Sequence, residues 1–324
     1  MKIAVVGGGT WGTTLAHLWA NNAPTTLWAR NTHDVEAINT RQENPRFLPG
    51  HRLHEQLRAT DDLDEAVADA DVVAVSVPTT AFAAIVRKLH RHVAADTPVI
   101  SLTKGIDAHT GCRMTELISR HLPGRPFGLL TGPNLASEMM LGAPAAAILA
   151  MNDADLARPL QQVFSAERFR VHVHADVIGA EIGGAVKNII AIAVGIADGM
   201  KSGDNVRSAL ITRGLEEITR LGVAVGGQRD TFAGLAGLGD LIATSTSDKS
   251  RNRRVGLALG AGQELASVIA GMDHQVAEGI ASAQAVAALS RRVGVETPMC
   301  EEIRAVVVDG RSAAVAYQNL LRVL

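Results

Sequence analysis

Apolar positions fall along this chain in two regimes. As far as His174, short apolar runs alternate with stretches of helical period, and from Asp176 onward only the helical period remains. The runs at 2–6 (K-I-A-V-V), Thr25–Ala29, Asp71–Pro78, Pro98–Leu102, Phe127–Leu130, Ala145–Ala150 and Phe169–His174 predict buried strands. Helices are predicted after the first of them, through Leu15, Leu18 and Trp19, and over Ala81–His92 and Asp153–Phe164. Strands alternating with helices make an α/β first domain built on a doubly wound, mostly parallel sheet.

From Asp176 to Arg207 the residues Ile178, Ile182, Val186, Ile189, Ile190, Ala193 and Val194 recur at helical spacing, which predicts one long buried helix. Glu181, Lys187 and Asn188 make it too polar for a bilayer span. A helix over Arg207–Leu221 stopped by Gly222, and amphipathic helices in Glu278–Arg292 and Pro298–Leu324, complete an all-helical second domain. The expected division is 1–177 and 178–324.

Composition narrows the function classes. A chain of 324 residues with 47% hydrophobic and 20% charged residues is an ordinary globular composition, long enough for two cores. The net charge of −2 gives no footprint for nucleic acid or a membrane surface, so any phosphate binding is local. Cys112 and Cys300 form neither a disulfide framework nor a metal spacing, which suits a reducing compartment. The opening M-K-I-A-V-V-G-G-G is too short an apolar run for a signal peptide, so a cytoplasmic protein is expected.

The candidate chemistry begins at Gly7, Gly9 and Gly12, which fit G-x-G-x-x-G directly after a strand and at the start of a helix. The first serves the tight turn, the second the approach of a pyrophosphate and the third helix-on-strand packing, with free N–H groups at the helix start facing the phosphates. This marks the first domain as Rossmann-type. Arg30 ends the second strand where an NAD-specific fold usually has an acid; it favours NADP(H), while Asp34 nearby keeps NAD(H) open, and a plain sheet-edge arginine is the alternative. Lys104 leaves the carboxyl end of a strand, where such folds place ligands. Thr131-Gly132-Pro133-Asn134 is a turn that offers backbone N–H groups to an anion or carbonyl, or is simply a turn. His172 and His174 share one strand face but have no third ligand nearby, so no metal is expected.

In the second domain, Lys187 lies amid the apolar run, where its ammonium must find partners, lose proton affinity or snorkel to solvent. A glycine-rich approach, G-L-A-G-L-G-D-L, leads to Asp240, an acid able to hold that ammonium. Ser250 reads as a helix N-cap followed by Arg251 and Asn252, a phosphate grip unless the segment is a solvated basic face. Glu278, in the V-A-E-G stretch 276–279, is a loop acid that could return to a cofactor.

Together these stretches closely resemble the bacterial-type NAD(P)-dependent glycerol-3-phosphate dehydrogenases over nearly the whole chain. The specific motifs are G-G-G-T-W-G-T at 7–13, N-P-R-F-L-P-G at 44–50, T-K-G-I at 103–106 and G-G-A-V-K-N-I-I-A at 183–191. G-L-A-G-L-G-D-L at 234–241, S-R-N-R-R at 250–254 and V-A-E-G at 276–279 complete the set. The resemblance implies reversible hydride transfer between NAD(P)H and dihydroxyacetone phosphate, giving sn-glycerol 3-phosphate for phospholipid synthesis, in a homodimer with the site in the cleft between two domains. By position, Lys187 matches the catalytic lysine, Lys104 the second active-site lysine at both substrate and cofactor, and Asp240 the acid beside them. Gly132 and Asn134 match the substrate loop, and Ser250, Arg251 and Asn252 the phosphate grip. Thr10, Trp11, Arg30, Ala136 and Glu278 match cofactor contacts, as does Arg251 beside its phosphate role. Asn134 and Thr10 each stand where the family usually has Ser, and Val206 where it has Thr or Ser. A related hydroxyacid or ketoacid dehydrogenase and a non-catalytic nucleotide-sensing module are the competing readings; the first needs a carboxylate grip, the second the loss of Lys187 or Asp240.

Overall fold

The computed structural model describes residues 1–151, 153–272 and 276–322. These form two compact units, Met1–Thr103 with Met114–Val177, and Lys104–Arg113 with Ile178–Leu324. Lys104–Arg113 groups with the helical unit although its sequence lies inside the first.

The first unit holds strands β1 (Ile3–Val6), β2 (Thr25–Trp28), β3 (Glu43–Asn44), β4 (Leu48–Arg52), β5 (Arg58–Thr60), β6 (Val72–Val75), β7 (Val99–Ser101), β8 (Phe127–Thr131), β9 (Ala145–Met151) and β10 (Phe169–His174). Eight form one sheet in the order β10-β9-β8-β7-β6-β1-β2-β5, and β3 pairs with β4 in a separate ribbon. Every pairing in the large sheet is parallel except β8 with β9. Between those two the chain makes only the short helix Ala136–Met140, too little for a face-covering crossover, and β9 runs back alongside β8. β1 and β6 are buried at every position, as their unbroken apolar sequences require for strands covered on both faces. Strand order reverses between β1 and β6, so their carboxyl ends flank the switch point where doubly wound sheets bind ligands.

The strands predicted from the apolar runs are all present. The ribbon, β5 and the helices Thr32–Arg41 and Leu63–Val67 were not predicted; β5 is only Arg-Ala-Thr, and a three-residue strand leaves no alternation to read.

In the second unit the central helix runs Val177–Gly199, and 94% of its most apolar window is buried. It alone, among the described residues, is long and apolar enough to cross a membrane, and here other helices cover it. The single helix expected through Arg207 is instead two. Lys201 adopts a left-handed φ of 60°, the Ser202 N–H donates to Ala197 O at 3.1 Å, and the next helix runs Gly203–Ala224. Nor does Gly222 stop that helix. A Cβ there would lie 2.0 Å from the Phe232 ring, so the glycine makes room for packing, and the left-handed stop comes at Gly226. The V-A-E-G stretch is also less of a loop than expected, because Glu278 begins the helix Glu278–Val293. The final stretch forms Pro298–Val307 and Ala313–Arg322; Val323 and Leu324 lie outside the described residues.

The central helix touches Arg251–Gly260 backbone to backbone. A Cβ on Gly195 would lie 2.2 Å from Arg253 O, one on Gly199 2.4 Å from Leu257 O, and one on Gly256 2.1 Å from Ile192 O. Four-residue glycine spacing on both helices permits this approach and brings the start of Arg251–Gly260 against the helix that carries Lys187.

Candidate active site

Lys187 is 5% exposed and its Nζ meets Asp240 Oδ1 at 2.7 Å and Thr244 Oγ1 at 2.6 Å. Asp240 sits at the start of the helix Asp240–Thr246, directly after the π-turn Leu235–Gly239, so Asp240 and Thr244 share a face one turn apart. The glycines before Asp240 are a packing requirement, since a Cβ on Gly237 would lie 2.1 Å from Phe232 O. The other carboxylate oxygen, Asp240 Oδ2, takes the Lys104 ammonium at 2.7 Å. One buried carboxylate therefore meets the amino groups of two lysines, one at each oxygen.

Burial pushes the Lys187 ammonium down to about 7; Asp240 pulls it up, and Lys104 pushes it further down. A lysine poised near neutrality, in hydrogen-bond contact with an oriented acid, has the properties of a proton donor and acceptor. The sequence reading found Lys187, Lys104 and Asp240 but not Thr244, whose signal was its i+4 spacing from Asp240.

Ser250 caps the helix Arg251–Gly260 as predicted, its Oγ accepting the Arg253 N–H at 3.2 Å. Asn252 donates to Asn188 Oδ1 at 2.9 Å and accepts the Gly279 N–H at 3.0 Å, which ties this helix start to the central helix and to the start of Glu278–Val293. Asn188, adjacent to Lys187, was read from sequence only as one of the polar residues of this helix. Burial holds the Arg251 guanidinium below its ordinary range, with Glu278 acting against that and Arg254 adding to it. Arg251 and Glu278 are thus electrostatic neighbours.

In the first unit, Gly7 has φ +128°, and a Cβ there would strike Ser76 O at 2.2 Å. A Cβ on Gly12 would lie 2.0 Å from Gly7 O. At Gly9, the N-cap of the helix Thr10–Trp19, a Cβ would meet nothing within 4 Å, so the protein leaves open space beside the helix N-terminus. Thr10 Oγ1 donates to Phe47 O at 3.2 Å, and the buried Trp11 Nε1 has no hydrogen-bond partner among the described residues. An open glycine, a helix start without a side-chain cap and an orphaned indole N–H at the sheet's switch point fit a dinucleotide.

Arg30 is exposed just beyond β2, whereas Asp34 is 2% exposed and turned onto Arg46 at 3.3 Å. Gly132 has φ +149°, and a Cβ there would lie 2.9 Å from Ala146 O. Asn134 Nδ2 donates to that same Ala146 O at 2.9 Å, while its buried Oδ1 has no hydrogen-bond partner among the described residues. Ala136 opens the helix Ala136–Met140. Among the described residues no group of three His, Cys, Asp or Glu is placed to hold a metal, and His174 Nδ1 accepts the Asp176 N–H at 3.0 Å. A cavity of about 1040 Å³ lined by Trp28, Arg87, Lys88, Arg91, Arg120 and His121 contains none of these site residues. Most of its basic groups lie at or just past the ends of two helices, where they offset the helix dipoles.

Two family models match the chain: NAD-dependent glycerol-3-phosphate dehydrogenase N-terminus over residues 2–157, and the C-terminus of the same family over 176–318. A glycerol-3-phosphate dehydrogenase [NAD(P)+] 2 of Sphingopyxis alaskensis is 50% identical over 99% of this chain and 96% of its own length. A glycerol-3-phosphate dehydrogenase [NAD(P)+] of Mycobacterium avium is 45% identical over 99% of this chain and 94% of its own. The crystal structure of glycerol-3-phosphate dehydrogenase from Coxiella burnetii, 36% identical, superposes with a TM-score of 0.95 over 99% of this chain and 98% of that one. The chain belongs to the NAD-dependent glycerol-3-phosphate dehydrogenase family.

Proposed function

We propose that this chain catalyses reversible reduction of dihydroxyacetone phosphate to sn-glycerol 3-phosphate with NAD(P)H, its first unit binding the dinucleotide and its second the substrate. The observation that carries the assignment of roles is the buried Lys187, held by Asp240 and Thr244 with its proton affinity lowered to about 7. Bound reduced nicotinamide supplies the hydride for the carbonyl carbon. Lys187 donates its Nζ proton to the carbonyl oxygen as negative charge develops there, and takes it back from the C2 hydroxyl in the reverse direction. Asp240 fixes the Nζ, and Lys104 adds a second positive charge beside the oxygen. Ser250, Arg251 and Asn252 at a helix N-terminus are assigned to the phosphate, with Gly132 and Asn134 at the substrate. Gly7, Gly9, Thr10, Trp11, Gly12, Arg30, Lys104, Ala136, Arg251 and Glu278 are assigned to the cofactor.

The exposed Arg30, with Asp34 turned inward onto Arg46, supports a preference for NADP(H) over NAD(H). A hydroxyacid substrate fits less well, because a helix N-terminus with Ser250, Arg251 and Asn252 suits a phosphate dianion. A cytoplasmic homodimer supplying phospholipid synthesis completes the proposal; sedimentation of the purified protein tests the dimer.

The test is consumption of reduced cofactor with dihydroxyacetone phosphate, NADPH and NADH side by side, on wild type and Lys187→Ala. Turnover that requires the phosphorylated ketone and collapses in the variant is the expected result. Tight NADPH binding without turnover on either cofactor would overturn it.

A further inference from the structure

We infer that the partly buried Arg113–Glu181 ion pair positions Lys104 for the reaction, acting through the excursion Lys104–Arg113. This rests on the assignment of Lys187, Lys104 and Asp240 to the reaction. Lys104 directly follows Thr103, just beyond the end of β7, yet it groups with the helical unit. What fixes it there is the rest of the excursion. Ile106 is fully buried in the helical core, and its N–H donates to Ser282 Oγ at 3.4 Å. Ile106 and Arg113 are paired across an antiparallel bridge, so the excursion closes on itself. The Asp107 carboxylate accepts from the Thr110 N–H and hydroxyl at 2.8 and 2.7 Å, and the Gly111 N–H donates to Asp107 O at 2.8 Å.

Arg113 then delivers its Nη1 to Glu181 Oε2 at 2.8 Å, with the two side chains 15% and 2% exposed. Glu181 stands on the helix that also carries Lys187. One helix therefore carries the Lys187 ammonium and, through Arg113 and the bridge to Ile106, anchors the segment that presents Lys104 to Asp240. Stability alone is a poor account of this pair, because a buried ion pair is often no more stabilising than apolar residues of the same volume. A directional charge-assisted hydrogen bond does what an apolar contact does not, which is to fix the register of the excursion to a fraction of an ångström.

The consequence is readable at Lys187, which is faced by Asp240, Thr244 and Lys104. Withdrawing Lys104 removes a nearby cation that disfavours protonation of Lys187, so the Lys187 titration moves to higher pH. A variant that merely unfolded part of the protein would lower the amount of active enzyme and leave that titration in place.

The experiment uses the full chain as wild type, Arg113→Lys, Arg113→Met and Arg113→Met/Glu181→Gln; the last removes both charges of the pair together and keeps the test open if Arg113→Met fails to fold. Three readouts are taken: kcat/KM for dihydroxyacetone phosphate across pH, NADPH affinity by tryptophan fluorescence, and Lys187 ionisation by NMR of isotopically labelled lysine. In the paired variant, kcat/KM is expected to fall about 10- to 100-fold, as for a misplaced catalytic group, with NADPH affinity changed less than about 2-fold. The Lys187 midpoint rises, and Arg113→Lys restores part of both. An unchanged midpoint and unchanged kcat/KM in a folded paired variant would overturn the proposal. If wild type itself fails to turn over the ketone, the functional reading falls, and the NMR midpoint alone decides whether the pair positions Lys104.

Discussion

The glycine turn after β1 and the Lys104–Lys187–Asp240 cluster are both ligand sites in the proposed reading, and they are built in opposite ways. The turn is made largely of backbone: within Gly7 to Gly12, the important property of Gly7, Gly9 and Gly12 is the side chain each lacks. The cluster is made of side-chain charge brought from three distant parts of the chain, and it is buried. The first is governed by sterics and is sensitive to a single added methyl group. The second is governed by pairing, because a desolvated ammonium is tolerated only with its partners in place.

The contrast is tested most strongly at Lys187. Lys187→Ala is expected to lower kcat by about 100-fold or more while NADPH affinity holds, since a proton donor is lost and the turn is untouched. Lys187→Met should in addition raise the unfolding temperature at neutral pH, because it removes an ammonium whose burial is costly. The sign follows from linkage: the folded-state value is about 7, below the ordinary lysine value of 10.5, so across that window the unfolded chain binds the extra proton and stability contributed by this group rises with pH.

For the same reason, the rate of ketone reduction should fall as pH rises through about 7, by up to about 10-fold per pH unit, and glycerol 3-phosphate oxidation should rise over the same range. A flat profile between pH 6 and 9, measured with single-turnover kinetics, would count against Lys187 as the donor. Gly12→Ala places a Cβ at 2.0 Å from Gly7 O and should cost about 1–3 kcal/mol of stability in chemical denaturation, together with cofactor affinity.

Arg30→Ala should lower the NADPH to NADH preference about 10-fold by weakening NADPH alone, as read from paired kcat/KM values. Smallest in stability, and sharpest for the comparison, is Gly9→Ala. Its Cβ meets nothing in the protein, so the unfolding free energy should change by less than about 0.5 kcal/mol while NADPH binding weakens. Unchanged binding in that variant would remove the turn from the cofactor site.

How much was legible in the sequence follows the same contrast. Gly7, Gly9 and Gly12 were read with their separate roles because a local motif states its geometry within a few residues, and the geometry bears out the turn at Gly7 and the packing at Gly12. Ser250 was read as a cap because an N-cap is equally local. By contrast, residue periodicity says nothing about which helix a glycine faces. Gly222 looked like a stop and is a seat for Phe232, and the glycines at 195, 199, 256 and 260 gave no sign that two helices touch backbone to backbone. Thr244, Asn188, Arg113 and Glu181 were missed as members of the site region for a related reason. Each matters through a partner 57 or more residues away, at distances only the folded chain defines. Lys187, Lys104 and Asp240 were read from their local settings, an apolar helical run, a strand end and a glycine-rich approach, with their roles added by the family resemblance, and the fold brings all three into one hydrogen-bonded group.

The excursion Lys104–Arg113 also bears on how such a protein can be recombined. A single genetic crossover at the boundary near residue 177 would take Lys104 from one parent and Asp240 and Lys187 from the other. It would also seat one parent's Ile106 in the other parent's core. A chimera that trades the helical unit intact has to exchange two separate stretches of sequence, so a library built with one breakpoint samples mismatched lysine–aspartate pairs, whereas one built with three breakpoints keeps each pair from a single parent.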